Sequence, residues 1–391
     1  MLEYQPYIIT SMQYDYIIAG GGCAGLSLLY RILNNDALRQ KQILVIDQDL
    51  KNTNDRTWCF WEEGQGLFES VVRHQWHTLE FKTEQFTNQF ALQKYRYKMI
   101  RGLDFYDHVL DFATQHDQVT FKTEKILQLT SQADHAEVVT ENAAYKATYV
   151  FNSTGLLNPD INPDNSLLQH FMGWEINTRQ PVFDEGVGTL MDFSLSQSNG
   201  ATFMYVLPVS SQQALVEYTL FSPQVLDKPA YREQLKSYIN DELGIPDYDI
   251  VAEEFGVIPM SLQKFHPNLG KRIINIGTAG GHTKASSGYT FQFVQKNTQA
   301  IVQNLVVQKS PLIKASFREK MFQWYDRTLL EVMISEKMTG KAVFATMFKK
   351  LAPEKILAFL DNDTNFLQDL KIMSSVPTAK FLPAALKQMF R

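Results

Sequence analysis

Tyr14-Asp15-Tyr16-Ile17-Ile18-Ala19-Gly20-Gly21-Gly22-Cys23-Ala24-Gly25 begins a stretch that closes on Ile43-Leu44-Val45-Ile46-Asp47. Tyr16 to Ala19 is an apolar run suited to a buried strand. Gly20, Gly22 and Gly25 occupy the three glycine positions of G-x-G-x-x-G. Leu26, Leu29, Tyr30 and Leu33 follow at helical spacing, and Ile43 to Ile46 reads as a second buried strand with Asp47 at its end. Each part has a task in binding a dinucleotide. Gly20 permits the tight turn, Gly22 lets backbone approach a pyrophosphate, and Gly25 lets helix and strand pack closely. The helix N-terminus, with Ala24 in its first turn, offers free N–H groups and partial positive charge to phosphate. Asp47 can accept ribose hydroxyls and would repel a 2′-phosphate. The unit lies near the N-terminus, a placement common in FAD proteins that does not exclude NAD.

A chain of 391 residues exceeds one small core, so two domains are expected. Composition is ordinary for globular proteins, at 45% hydrophobic and 20% charged. The net charge of −5 gives no general basic footprint for nucleic acid. Two cysteines, Cys23 and Cys59, form no disulfide framework or metal spacing, which fits a reducing compartment. The first fifteen residues show no signal-peptide pattern. Tyr16 to Tyr30 is apolar but broken by glycines and ended by Arg31, so no transmembrane helix is expected.

Residues 1–13 form a lead-in before the first βαβ unit. Beyond that unit lies Asn54-Asp55-Arg56-Thr57-Trp58-Cys59-Phe60-Trp61, an aromatic-rich segment read as a loop. It is either a plug over the core edge or a place where Arg56 reaches the nucleotide and Trp58 and Trp61 line a cavity. Residues 70–100 suggest strands of a second, antiparallel sheet, and Phe105 to Phe112 a helix. Short strands follow, and a hairpin leads into Tyr149-Val150-Phe151-Asn152-Ser153-Thr154-Gly155. A strand ending in Thr154-Gly155 returns the chain to the nucleotide in many flavoproteins of this plan. Residues 156–265 look strand-rich, with a hairpin between Ala201–Val209 and Ala214–Phe221 and a helix over Tyr231–Leu243. Ile273 to Ile276 then enters Gly277-Thr278-Ala279-Gly280-Gly281, with Ser287-Gly288-Tyr289 and a helix beyond. This second glycine-rich turn makes a NAD-only dehydrogenase less apt. In FAD enzymes such a turn meets the ribityl chain, and the next helix aims its N-terminus at the flavin. The tail from Phe317 to Phe390 is helical and mildly basic, and its apolar stripes suit either packing on the sheet domain or contact with a membrane.

These segments carry a resemblance across Tyr14 to at least Leu370: the chain is similar to the flavin-dependent lycopene β-cyclases of bacterial type. Asp55-Arg56-Thr57-Trp58-Cys59-Phe60-Trp61, Leu190-Met191-Asp192-Phe193, Thr202 to Pro208, Ile258-Pro259-Met260 and the second glycine-rich turn with Ser287-Gly288-Tyr289 follow the family's order. Plant-type members carry Phe-Leu-Glu-Glu-Thr, whose first Glu is essential. Leu215-Val216-Glu217-Tyr218-Thr219 stands there, so Glu217 matches that Glu and Tyr218 replaces the second. Gly277-Thr278 departs from the Gly-Asp of many related flavoproteins.

The resemblance implies an α/β, two-domain flavoprotein with a Rossmann-type FAD domain, an inserted antiparallel-sheet substrate domain and a helical C-terminal region. The expected division is 14–70, 101–155 and 266–310 for FAD, 71–100 and 156–265 for substrate, and 311–391 for the helical region. Gly20, Gly22, Ala24, Gly25, Asp47, Arg56, Thr154, Gly155, Gly277, Thr278, Gly288 and Tyr289 would hold the cofactor. NAD(P)H would keep it reduced. The substrate would be lycopene, reached from a membrane surface on the cytoplasmic side. Its cyclisation changes no oxidation state. A proton added at C2 gives a tertiary cation at C1, the C5=C6 bond attacks it, and loss of the C6 proton leaves a β-ring. Glu217, in an apolar strand, suits a carboxyl kept protonated by burial, although a strand glutamate can equally face outward. Asp192 is a second candidate for moving the proton or orienting Glu217. Trp58, Trp61, Tyr205 and Tyr218 are aromatic faces for the cation. The rival reading is an FAD-dependent hydroxylase or isoprenoid reductase with a lipophilic substrate.

Overall fold

The computed structural model describes residues 9–389. The first eight residues of the lead-in, Phe390 and Arg391 fall outside that range.

In chain order the first domain begins with β1 (Ile9–Ala19), α1 (Cys23–Leu33) and β2 (Ile43–Asp47). Next come β3 (Thr57–Glu62), β4 (His74–Trp76), β5 (Thr78–Lys82), β6 (Thr87–Ala91) and β7 (Arg96–Arg101). The chain continues through α2 (Gly102–Ala113), β8 (Val119–Thr123), β9 (Ile126–Ser131), β10 (Ala136–Thr140) and β11 (Ala144–Asn152). Long strands follow: β12 (Ser166–Thr178), β13 (Val187–Asp192), β14 (Ala201–Pro208) and β15 (Gln213–Ser222). Then come α3 (Lys228–Ser237), β16 (Tyr248–Ser261), β17 (Asn268–Leu269), β18 (Ile273–Asn275) and α4 (Phe291–Val306). Five helices complete the described chain: α5 (Phe317–Ile334), α6 (Gly340–Lys350), α7 (Pro353–Leu360), α8 (Phe366–Ser375) and α9 (Thr378–Met389).

The nucleotide-type sheet has a parallel centre in the order β18-β11-β1-β2-β8. Parallel strands are covered on both faces, which explains the unbroken apolar runs at Ile17–Ala19 and Ile43–Ile46. Alternation divides their side chains. Ile18, Ile43 and Val45 pack with α1, α2 and α4 on one side. Ile17, Ala19, Leu44 and Ile46 pack on the other, against the β9–β10–β11 meander. A Cβ on Gly25 would stand 2.0 Å from the Gly20 carbonyl oxygen, so only glycine lets α1 settle against β1.

The second sheet runs β16-β12-β15-β14-β13-β5-β6 and is antiparallel except for β13 with β5. Its back carries Met172, Trp174, Met204, Val206, Val216 and Tyr218 and is covered by α3. Its front carries Leu167, Phe203, Tyr205, Leu207 and Leu215 and is covered by β3, β7 and the C-terminal helices.

Three local expectations change. The aromatic segment 54–61 is not a loop: Thr57–Glu62 is β3, paired with β7 in a small sheet β3-β7-β4. Its run of β-branched and aromatic residues suits a strand once β7 supplies the partner backbone. The strands of 70–100 divide between this sheet and the large one. The helix placed at Tyr231–Leu243 begins earlier, at Lys228 behind the Asp227 N-cap and Pro229, and closes in the wide helical turn Tyr238–Glu242.

One buried ion pair ties the helical region to the sheet domain. Lys284, on the loop after the second glycine-rich turn, meets Asp326 of α5 at 2.7 Å. Lys284 also donates to the Asn362 side chain at 2.8 Å, and Ser286 donates to Asp326 at 2.7 Å. Removing one partner strands a buried charge, which costs about 3–5 kcal/mol. Asp326→Ala should therefore lower the unfolding free energy from urea titration by that amount, whereas Lys337→Ala on the surface should leave it within about 0.5 kcal/mol.

Candidate active site

The first glycine loop presents an open cradle. A Cβ on Gly22 would meet nothing within 4 Å, and Gly22 caps α1 without a side-chain hydrogen bond. No side chain caps the N-terminus of α1, and Ala24 in its first turn lies against the Gly277 turn. Asp47 accepts from the Gly21 N–H at 2.6 Å and stands beside the cradle. Arg56 is paired with Asp55 at 3.0 Å, and its charge reaches Cys23 at the start of α1.

Thr154 follows β11 and donates to Asn152 at 2.6 Å, with Gly155 exposed beside it. Gly277 adopts φ +61° and its missing Cβ would lie 2.8 Å from that of Ala24, so the second glycine turn closes on the first. Thr278 joins a hydroxyl chain through Thr283 to Thr290, at 2.8 and 3.0 Å. Gly288, at φ +73°, presses on Gln169 of β12. Two buried polar atoms of this loop, His282 Nδ1 and Ser287 Oγ, have no partner among the described residues. Burial lowers the His282 pKa to about 4, so the ring is neutral. Such orphans are rare without a ligand or water. The bare helix N-terminus, Asp47 and these orphans together fit a phosphate-bearing dinucleotide such as FAD.

The front of the second sheet carries the candidate carboxyl and further acidic and aromatic groups. Glu217 on β15 and Glu254 on β16 both pair with Gly173 of β12, the strand between them. Gly173 has no side chain, so the two carboxyls meet above it; a Cβ there would lie 3.1 Å from the Glu254 Cγ. Thr219 donates to Glu217 at 2.7 Å and Thr57 of β3 donates to Glu254 at 2.8 Å. The other Glu254 oxygen, Oε1, is buried with no conventional donor.

Burial is the main cause that pushes the Glu217 carboxyl well above its ordinary range, and the charge of Glu254 adds to it. Burial raises Glu254 as well, but the Thr57 bond, the bond with Glu217 and the charge of Arg56 oppose that rise. Burial and the neighbouring carboxyl thus both favour the neutral form of Glu217.

Glu217, Cys59 and Tyr289 are half-buried, and the charge of Glu217 reaches both of the others. Aromatics surround them. Tyr205 lies directly across from Glu217 on β14, and its hydroxyl is 3.5 Å from that of Tyr289. Trp61 meets Tyr289 edge-on at 4.6 Å and is held by its N–H to the Leu357 carbonyl at 3.1 Å. Tyr97 of β7 completes the wall beside Tyr289 and Cys59. Burial is the first cause that raises these hydroxyls, and at Tyr289, pushed up to about 12, hydrogen bonds with Tyr205 and Tyr97 oppose the rise. The walls are therefore neutral phenols.

Three sequence candidates stand elsewhere. Tyr218 follows Glu217, so strand alternation turns it to the back, where its ring meets Tyr231 at 6.0 Å. Asp192 also belongs to the back: it pairs with Lys82 at 3.2 Å, accepts from Tyr238 at 2.7 Å, and does not orient Glu217. Trp58 points from β3 into the nucleotide domain against Phe105 and Phe291. Glu254, Tyr97 and Thr57 were not singled out in the sequence. Gly173 inside an apolar strand was the available signal, because such a glycine marks close approach of other groups.

A nucleotide cradle on a parallel sheet, joined to a long antiparallel sheet, defines the chain as a two-domain flavoprotein-type α/β fold, and solved structures agree. A flavoprotein/dehydrogenase from Cytophaga hutchinsonii superposes with a TM-score of 0.60 at 12% identity, covering 97% of this chain and 99% of that one. A variant of the halogenase PltM in complex with FAD gives 0.57 at 13% identity, covering 95% and 86%. The family profile of lycopene cyclase protein matches residues 15–386, and the chain belongs to that family. The lycopene beta-cyclase of Pantoea ananas is 24% identical over 269 residues, a stretch that spans 64% of this chain and 63% of that protein's length.

A carboxyl held protonated by the fold lowers stability at neutral pH. Between the ordinary carboxylate pKa and the raised folded value, the unfolded chain binds fewer protons than the native one, so stability falls as pH rises. Glu217→Gln should therefore raise Tm at pH 7, by roughly 2–4 °C for each kcal/mol relieved. Scanning calorimetry should show the gain shrinking to nothing on acidification below the ordinary carboxylate range.

Proposed function

We propose that this protein is a lycopene β-cyclase that closes the ψ-ends of lycopene to β-rings, through γ-carotene to β-carotene, with reduced FAD bound. One observation carries the reading: Glu217, a carboxyl that burial pushes well above its ordinary range, stands across from Tyr205 among aromatic side chains, in the same chain as a dinucleotide cradle. The name of the Pantoea ananas relative points to the same reaction.

FAD would be held by the first glycine loop and α1 at its pyrophosphate, by Asp47 at its ribose, and by Arg56, the Thr154-Gly155 turn and the second glycine turn. Reduced FAD supplies an electron-rich, anionic ring that stabilises nearby positive charge, and NAD(P)H is the proposed reductant. Glu217 donates its proton to C2. The phenol and indole faces of Tyr205, Tyr289, Tyr97 and Trp61 stabilise the cation, each such contact contributing about 0.5–2 kcal/mol. The cavity excludes water that would trap the cation as an alcohol.

A lipid-soluble substrate needs an entry from a bilayer. Exposed Phe366, Leu367 and Leu370 on α8, and Leu382, Leu386 and Met389 on α9, with Lys371, Lys380 and Lys387 among them, support a peripheral contact with an anionic membrane face. No helix among the described residues is long and apolar enough to cross a membrane.

The test is anaerobic: purified protein, FAD, dithionite or NAD(P)H, and lycopene in liposomes. Ring-closed product of unchanged mass, with no stoichiometric consumption of reductant, is expected. A product changed by hydrogen or oxygen would instead establish an FAD oxidoreductase. Glu217→Gln should keep its flavin and lose at least about a hundredfold in rate, the scale of a general acid. Asp47→Ala should weaken FAD binding by about tenfold, measured by flavin fluorescence, the effect of a lost charge-assisted hydrogen bond.

A further inference from the structure

Glu254 was chosen neither by the sequence nor by the reading of Glu217 as the acid, yet its placement is specific. Three strands bring the two carboxyls together. β15 and β16 flank β12, and their glutamates pair with the same residue, Gly173. Any side chain at that residue would crowd Glu254, whose Oε1 lies 3.3 Å from the missing Cβ. One oxygen of Glu254 is fixed by Thr57. The other, Oε1, is buried with no donor among the described residues, and the Glu254 carboxyl interacts with that of Glu217. Two buried carboxyls in contact cannot both ionise, and neither is satisfied unless one carries a proton for the other to accept.

We propose that Glu254 is the positioning partner of Glu217: across Gly173 the two carboxyls share one proton, delivered by Glu217 to C2 of the substrate and returned to the pair from C6. This rests on the cyclase reading. The balance closes within the pair and the substrate. The Glu217 O–H bond breaks and a C2–H bond forms. The C5=C6 electron pair makes the C1–C6 bond. The C6–H electron pair then makes the ring double bond, and its proton goes back to the carboxylate pair. No electron enters or leaves, and no outside base is needed. Glu254 acts through Glu217: its carboxylate accepts the Glu217 hydrogen bond and holds the proton there until the substrate arrives.

Other groups could move a pH profile. Those facing the pair are Cys59 on β3, Tyr205 on β14, Tyr289 after the second glycine turn, Arg56 before β3, and Glu175 on β12. Burial keeps Cys59 a thiol and the tyrosines phenols through neutral pH, and Arg56 stays charged. Glu175 is paired with Arg73 at 2.6 Å. The alkaline limb of activity therefore reports the carboxyl pair.

The experiment compares wild type, Glu217→Gln and Glu254→Gln as FAD-loaded full-length protein. Infrared spectra across pH, without substrate, read the protonated-carboxyl band. Wild type should keep the band through neutral pH, and Glu217→Gln should lose it. Glu254→Gln removes the charge that holds the proton, so the band and the alkaline limb of kcat should both fall by about one pH unit or more, with flavin content unchanged. Superimposable profiles of wild type and Glu254→Gln, with Glu217→Gln inactive, would overturn the pair and leave Glu217 as a lone acid. A fully active Glu217→Gln would overturn the cyclase assignment of the acid as well. Should Glu254→Gln fail to fold, Gly173→Ala replaces it, since a methyl at 3.1 Å from Glu254 Cγ separates the carboxyls with both retained. The same downward shift is then expected, and an unmoved band would sink the proposal.

Discussion

Two carboxyls packed together with no salt bridge among the described residues are the constraint around which this molecule is arranged. Arg56, the cation whose field reaches Glu254, is already paired with Asp55. Taking ionised carboxylates out of water unpaired is far too costly, so the pair is tolerated only as a half-protonated unit. Everything adjacent keeps it so. Gly173 leaves the space, Thr219 and Thr57 each satisfy one oxygen, and neutral phenols rather than cations form the walls. A lysine in place of Tyr205 would ionise the pair and remove the acid.

The two-sided sheet makes such a site affordable. Its back is an ordinary core, with Met204, Val206, Val216 and Leu220 under α3. That face supplies burial free energy of roughly 25 cal/mol for each Å² of apolar area. The front can then carry polar groups in an internal cavity. The nucleotide domain has the same division of labour, with apolar cover on both sheet faces and its chemistry confined to the loops at the carboxyl ends of β1, β2 and β11.

What the sequence disclosed follows the range of the forces involved. The first βαβ unit was legible because its signals are local: a run, three glycines, a helix and an acid in order. Glu217 was picked out through its motif, and the structure places it half-buried on β15. Tyr218, Trp58 and Asp192 were placed at the site because they are near it in sequence or motif. Tyr218 and Trp58 turn away through strand alternation, and Asp192 is drawn to the back by Tyr238 and Lys82. Glu254 could not be seen, because its meeting with Glu217 depends on the registers of two long antiparallel pairings that no local pattern specifies.

The alternation along β15 has a further consequence. The strand behaves as a two-phase reading frame, with Leu215, Glu217, Thr219 and Phe221 in one phase and Val216, Tyr218 and Leu220 in the other. Replacement of the plant-type motif's second acid by Tyr218 falls in the silent phase and leaves the cavity's chemistry intact. Deleting one residue between Gln213 and Glu217 would shift the frame, deliver Tyr218's ring to the cavity and bury Glu217 against α3. In this chain, substitutions in the back phase of β15 leave its front unchanged, while a single-residue gap exchanges the two phases.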